Sequence, residues 1–150
     1  MATSSARSSA KEKIAIVYAQ GEILSGEGSE TYIGEGAMRR SIKEAREDKN
    51  VKAIVLRIDS PGGSALTSDL IWRELELTKK VKPIVVSMGN VAASGGYYIA
   101  CNANEIFAEQ MTITGSIGVF GLLPNMVELS NRIGIHTEEV KTHKNAGGYS

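Results

Sequence analysis

The 150-residue chain predicts an α/β fold built on a mainly parallel sheet. Residues 53–58 (AIVLRI) and 83–88 (PIVVSM) are apolar, β-branched runs of the kind that form buried parallel strands. Each run leads through a glycine-containing turn into a stretch with helical spacing of apolar residues. Strand, turn and helix therefore alternate, and this order favours parallel pairing because a crossover helix connects parallel neighbours.

The remaining elements extend the same alternation in both directions. A helix over residues 36–49 is predicted by apolar residues that recur at helical spacing at Ala37, Met38, Ile42 and Ala45. The predicted strands cover residues 14–18, 53–58, 83–88 and 105–108. The predicted helices cover residues 36–49, 66–80, 97–103 and 125–133.

Length and composition are those of one domain. With 42% hydrophobic and 23% charged residues, we expect a single domain over residues 13–150, truncated at its carboxyl end. Residues 1–12 are expected to be a tag or a disordered linker, because they are rich in serine and alanine and lack an apolar run. Seventeen basic residues balance seventeen acidic ones, so charge gives no reason to expect nucleic acid as a partner.

Ser94 is the strongest candidate for a reactive residue. It lies between small residues in the segment 90–100 (NVAASGGYYIA), after a predicted strand and before a predicted helix. The carboxyl end of a parallel strand is where α/β proteins place their chemistry, and unpaired N–H groups at a helix start stabilise developing negative charge. A capping serine in a tight turn would explain the same residues structurally.

A second glycine turn follows the strand at residues 53–58. Gly62 and Gly63 allow the backbone to turn sharply and to present an N–H group without an obstructing side chain, as an oxyanion hole requires. A β-turn with Pro61 at its second position would also account for this segment. Because both turns lie at the same sheet edge, we expect them to converge.

Three motifs, residues 59–63 (DSPGG), 92–98 (AASGGYY) and 114–119 (TGSIGV), together resemble the signal peptide peptidase A (protease IV) family of serine proteases. The resemblance runs from about residue 14 to the end of the chain. It implies a Clp- and crotonase-like fold of repeated β-β-α units. It also implies a serine endopeptidase that degrades hydrophobic peptides, such as cleaved signal peptides, without a cofactor or a metal.

The resemblance assigns roles to four residues around the two turns. Ser94 matches the nucleophile, and Ser116 matches a serine that helps to orient the base. The turn at Gly63 and the amide of Gly95 match the oxyanion hole.

Lys144 takes the position of the catalytic lysine in the family, within the segment 140–146 (VKTHKNA), and Lys141 is its rival. A lysine acts as a base only when neutral, so burial or a neighbouring positive charge must lower its pKa from about 10.4. Histidine is a poorer candidate, since Clp-type proteases carry one about 25 residues after the serine, where Val119 stands here. His136 and His143 have no metal-ligand partners at a useful spacing.

In this family the serine and the lysine come from neighbouring subunits or from two homologous halves. The resemblance therefore implies a homo-oligomer or a missing homologous half as the partner, besides the peptide substrate. It implies tethering to the bacterial inner membrane in the full-length protein, at the cell envelope, with this chain itself soluble. Cys101, the one cysteine, follows a helical apolar segment and is predicted to be a buried, inert thiol.

Two alternatives remain open. The chain is a non-catalytic half that serves assembly and substrate binding, or it is a crotonase-type enzyme that acts on an acyl-CoA thioester. The thioester reaction would use the same oxyanion hole, but it would leave Ser94 without a role.

Overall fold

The structure, a computed structural model, describes residues 11–122, 124–136, 138 and 140–143. Seven strands are described: β1 (Lys13–Gln20), β2 (Glu22–Ile23), β3 (Tyr32–Ile33), β4 (Val51–Ser60), β5 (Ile84–Ala93), β6 (Glu105–Phe107) and β7 (Ile113–Gly115). The described helices are α1 (Glu35–Glu47), α2 (Ala65–Lys79), α3 (Gly95–Ala100) and α4 (Val127–Arg132).

The main sheet has the order β1-β4-β5-β6, and β7 pairs with the carboxyl-terminal part of β5. All of its described pairings are parallel, and the short pair β2-β3 is parallel as well. The predicted α/β class with a mainly parallel sheet is therefore confirmed. Helices α1 and α2 provide the connections that parallel neighbours need.

Strands β4 and β5 both run beyond the predicted ends at Ile58 and Met88. Residues 59–60 and 89–90 are turn-forming types, but both segments lie within paired strands. The Gly21 N–H donates to the Asp59 carbonyl oxygen at 3.0 Å, and Ser60 pairs with Ala92 after a register shift. Cross-strand pairing thus overrides the local preference for a turn.

The core lies on one face of the sheet. Ile54, Leu56 and Ile58 of β4 are fully buried there, and Met38 and Ile42 of α1 belong to the same cluster. On the other face, Ile14 and Tyr18 of β1 are 66% and 56% exposed. The sheet is therefore covered on one face, because the described helices α1 to α3 supply a core on one side only.

The chain divides into two compact units, one ending at Val119 and the other beginning at Phe120. The first contains the whole sheet and α1 to α3. The second contains α4, in which no residue is buried. Among the helices of the described ranges, none combines the length and the hydropathy that a membrane crossing requires.

Candidate active site

Ser94 lies at the junction of β5 and α3, as the sequence predicts. Its φ of 51° and ψ of −120° fall in a region that residues with side chains rarely adopt. Two backbone hydrogen bonds hold this conformation: the Ser94 N–H donates to the Gly115 carbonyl at 2.9 Å, and the Ser94 carbonyl accepts from the Tyr98 N–H at 2.8 Å. Within the described residues the Ser94 hydroxyl has no hydrogen-bond partner. This hydroxyl is therefore not occupied by a capping bond.

The glycine turn after β4 contacts the turn that contains Ser94. Gly62 and Gly63 have φ values of 99° and 147°, which favour glycine. A Cβ atom on Gly62 would lie 2.6 Å from the Gly95 nitrogen and 2.8 Å from the Ser94 Cβ. The two turns meet so closely that only glycine fits at position 62.

The amides of Gly63 and Gly95 are free to bind a ligand oxygen. Neither N–H donates a hydrogen bond to any acceptor in the part of the chain that the structure describes. Gly95 opens α3, where the first N–H groups of a helix have no intrahelical acceptor. Two unpaired amides beside a serine hydroxyl match the donor chemistry that an oxyanion hole requires.

Ser116 directly follows β7, as Ser94 directly follows β5. Ala93 pairs with Gly115, so Ser94 and Ser116 are the residues that directly follow a parallel pair. Ser116 also has a left-handed φ, of 49°, and it is exposed. Strand β7, which the sequence did not predict, brings Ser116 to the site.

A cavity of about 560 Å³ opens beside Ser94 and Gly95. Apolar and aromatic side chains make up much of its wall. Tyr98 donates its hydroxyl hydrogen to Asp69 Oδ1 at 2.9 Å, and its ring stacks on Trp72 with the ring centroids 6.0 Å apart. The hydrogen bond to Asp69 raises the pKa of Tyr98, and desolvation acts in the same direction. The lining residues are Gly63, Ala65, Ser68, Asp69, Ser94, Gly95, Tyr97, Tyr98, Cys101, Ile117, Gly118 and Val119.

Comparison with known proteins identifies the family. A sequence profile described as Peptidase family S49 matches residues 76–149, which include Ser94, Gly95 and Ser116. The matched part of the chain, residues 76–149, is a peptidase family S49 domain. The chain is 45% identical over 131 residues to Protease 4 of Haemophilus influenzae, an alignment that covers 87% of this chain and 21% of that protein.

Two further S49-related proteins are similar over most of this chain. The chloroplastic serine protease SPPA of Arabidopsis thaliana is 46% identical over 142 residues, covering 91% of this chain and 21% of the relative. A solved mutant of the 1510-N membrane-bound stomatin-specific protease superposes with a TM-score of 0.52 at 27% identity, covering 65% of this chain and 44% of the other. The chain thus spans about a fifth of the length of Protease 4 and of SPPA.

The structure bears differently on two predicted residues, Lys144 and Cys101. Lys144 lies outside the described residues, so the identity of the base stays a prediction. Cys101 is exposed and lines the cavity, so the predicted burial of its thiol is wrong. Cys101 caps the end of α3 and its thiol donates to the Tyr98 carbonyl at 3.0 Å, whereas Ile99 and Ala100 occupy the core side of the helix.

The histidines lie in the second unit and are exposed; His143 Nδ1 is 3.2 Å from Thr142 Oγ1. No cluster of His, Cys, Asp or Glu within the described ranges is arranged to hold a metal ion.

Sequence reasoning missed the backbone contact of one residue in the 59–63 motif, Asp59. Its carboxylate accepts a hydrogen bond from the Val91 N–H at 3.0 Å, across the register shift between β4 and β5. A Cβ on Gly89 would lie 2.9 Å from the Asp59 Cγ, so Gly89 leaves room for this carboxylate. The bond fixes the irregular end of the strand that leads to Ser94. An aspartate ahead of a proline-glycine turn indicates only the turn, so this contact could not be predicted from the sequence.

Proposed function

We propose that this chain carries the nucleophile and oxyanion hole of a Ser-Lys endopeptidase that cleaves hydrophobic peptides, such as cleaved signal peptides. One observation carries the proposal: Ser94 stands in a strained turn, with an unengaged hydroxyl, between two glycine amides that have no acceptor among the described residues. A merely structural turn does not need the buried Gly95 amide unpaired, because an unpaired polar group in the core costs about 1–3 kcal/mol.

The proposed reaction is acyl transfer. Ser94 Oγ bonds to the scissile carbonyl carbon while a neutral lysine takes its proton, and the carbonyl oxygen gains negative charge opposite Gly63 and Gly95. The C–N bond then breaks and the leaving amine takes the proton from the lysine. Water then attacks the carbonyl carbon of the acyl-enzyme while the lysine takes a proton from the water. The ester C–O bond breaks, and Ser94 Oγ takes the proton back from the lysine. We assign Lys144 as the base and Ser116 as the residue that helps to orient it.

The cavity beside Ser94 supports the substrate class. Its apolar wall favours an apolar side chain of the peptide, and a volume of about 560 Å³ accommodates one such residue with room for its neighbours. The charge balance of the chain gives no preference for a highly charged substrate.

The partner we propose is a second copy of the chain or a homologous half. The open face of the sheet supports it, since Ile14, Ile16 and Tyr18 of β1 and Phe107 of β6 are all more than half exposed. Tethering at the bacterial cell envelope is part of the same proposal, and the structural relative that is described as a membrane-bound protease supports it.

A fluorophosphonate probe tests the proposal, because it bonds covalently to an activated serine. We expect mass spectrometry to locate the label on Ser94, and Ser94→Ala to abolish it. Ser29→Ala is the matched control, since Ser29 is exposed in a loop and should contribute no label. Labelling that persists in Ser94→Ala contradicts the nucleophile, and a chain that stays unlabelled in both monomeric and associated fractions favours the non-catalytic half.

A further inference from the structure

We propose that Ile23 is a positioning residue that holds both amides of the oxyanion hole, an inference that rests on the proposed function. Ile23 belongs to the two-residue strand β2, outside all three sequence motifs. Its backbone forms hydrogen bonds with Gly62 and Ser64, the residues on either side of Gly63, and its side chain approaches Gly95. One residue therefore contacts both turns that supply the amides.

The backbone of Ile23 determines which way the Gly63 amide faces. The Ile23 N–H donates to the Gly62 carbonyl at 2.8 Å, and the Ile23 carbonyl accepts from the Ser64 N–H at 2.7 Å. This is a parallel bridge between Ile23 and Gly63. In such a bridge the residues before and after the bridged position make the bonds, so the N–H of Gly63 points away from β2. The amide is thereby left for a ligand.

The approach of the two backbones leaves Gly63 little freedom to rotate. A Cβ on Gly63 would lie 2.0 Å from the Ile23 carbonyl oxygen and 2.9 Å from the Ile23 nitrogen. Any rotation of the peptide units around Gly63 that turned its N–H elsewhere would break the bonds to Ile23. β2 is itself held on its other edge, where the Leu24 N–H donates to the Ile33 carbonyl at 2.9 Å.

The side chain of Ile23 supports the second amide. Ile23 is fully buried, and its Cδ1 lies 3.2 Å from the place where a Cβ on Gly95 would stand. Ser68 Oγ lies 2.5 Å from the same place, and it is fixed by donating to the Ser64 carbonyl at 2.8 Å. Gly95, at the start of α3, therefore lies between the Ile23 Cδ1 methyl group and the Ser68 hydroxyl.

This arrangement matters because an oxyanion hole lowers the barrier only when its donors are fixed before charge develops. Loosening Ile23 should therefore weaken transition-state stabilisation more than substrate binding, and lower kcat rather than raise KM.

The test compares Ile23→Ala with Ile84→Ala. Ile84 is the same residue type, is 1% exposed, and starts β5 at the opposite end from Ser94. In assays of peptide ester hydrolysis, we expect Ile23→Ala to lower kcat about tenfold or more with KM within about twofold, and Ile84→Ala to keep kcat within about twofold. Urea unfolding verifies that both variants fold. Equal losses of kcat in the two would overturn the positioning role.

A second measurement needs no turnover and remains available if the alanine variants fail to fold. Ile23→Val and Ile84→Val each remove one buried methyl group. In ¹H–¹⁵N spectra, Ile23→Val should shift the Gly95 amide resonance, with a smaller shift at Gly63, and Ile84→Val should leave both in place. Unmoved amides in Ile23→Val would refute the contact. Hydrolysis retained in Ser94→Ala would instead refute the proposed function, and the amide shifts would still establish the contact of Ile23 with Gly95.

Discussion

Ser94 combines a left-handed φ of 51° with a side chain that lines the cavity. Holding a non-glycine residue in such a backbone conformation costs about 1–3 kcal/mol. The hydrogen bonds to Gly115 and Tyr98 stabilise the conformation against that strain. Glycine would adopt the same backbone without a Cβ penalty. A hydroxyl is thus retained where stability alone favours glycine, as expected of a residue kept for its chemistry.

Replacement of Ser94 should separate strain from reactivity. We expect Ser94→Gly to be more stable to urea than Ser94→Ala by about 0.5–1 kcal/mol, because only the alanine keeps a Cβ at positive φ. Both variants should lose hydrolysis. An alanine variant as stable as the glycine variant would show that the turn is not strained.

Ser116→Ala should slow turnover far less than Ser94→Ala. Ser116 follows the residue that pairs with Ala93, and in the proposed reaction it orients the base without bonding to the substrate. Steady-state rates of the two variants on one peptide ester provide the comparison. Equal losses would mean that the two roles are wrongly assigned.

At the scale of elements, a buried ion pair joins α1 to α2 on the core side of the sheet. Glu74 of α2 is only 7% exposed and binds Arg46 of α1, which also donates to Thr78 Oγ1 at 3.3 Å. Truncating Arg46 would leave the Glu74 carboxylate buried with only Arg39, at 3.9 Å, as a partner. The pair therefore fixes the two helices that cover the core.

We expect Arg46→Ala to lower the free energy of unfolding by about 2–3 kcal/mol, because it leaves a buried charge poorly compensated. Arg40→Ala is the matched control, since the pair of Arg40 with Glu27 is solvent-exposed and such pairs are worth about 0–1 kcal/mol. Urea denaturation measures both. Similar losses in the two variants would contradict the distinction.

Glu35 makes the start of α1 sensitive to acid. Hydrogen bonds from the Gly26 N–H, from its own N–H and from Thr67 Oγ1 hold the pKa of Glu35 below its ordinary 4.5. Since this pKa is lower in the folded chain, the stabilisation is present above pH 4.5 and is lost as pH falls through the folded pKa.

Glu35→Gln should therefore reduce the loss of stability below pH 4.5, measured as urea midpoints against pH. Part of the dependence of stability on pH should remain, because the hydrogen bond from Arg40 lowers the pKa of Glu27 as well. Glu47→Gln, which removes an exposed contact with Lys43 at 3.9 Å, is the control for the loss of one carboxylate, and its urea midpoints are compared with those of Glu35→Gln. An unchanged slope in Glu35→Gln would rule out this linkage.

At the scale of the whole molecule, the sheet has one covered and one open face. Ile14, Ile16 and Tyr18 alternate along β1 with residues directed to the core, and they are exposed with an apolar surface. Such a face favours association with another chain or domain.

We expect the chain to self-associate, and light scattering to report a species larger than its 16.0 kDa. If Lys144 acts across the interface, mixing Ser94→Ala with Lys144→Ala should restore hydrolysis, because some interfaces then pair an intact serine with an intact lysine. A monomer that hydrolyses peptides at the full rate would contradict a shared site.

The sequence by itself determined the parallel α/β class and the place of Ser94, because apolar runs and glycine turns are local signals of strand ends. It also marked Gly62 and Gly63, whose positive φ values only glycine tolerates easily. The contacts of Ile23 with Gly63 and Gly95, the bond from Val91 to Asp59 and the pairing of β7 with β5 were decided by the tertiary structure. Each of these interactions joins residues far apart in the chain, and at least one partner in each is a backbone group, which every residue carries and which therefore leaves no mark in the sequence.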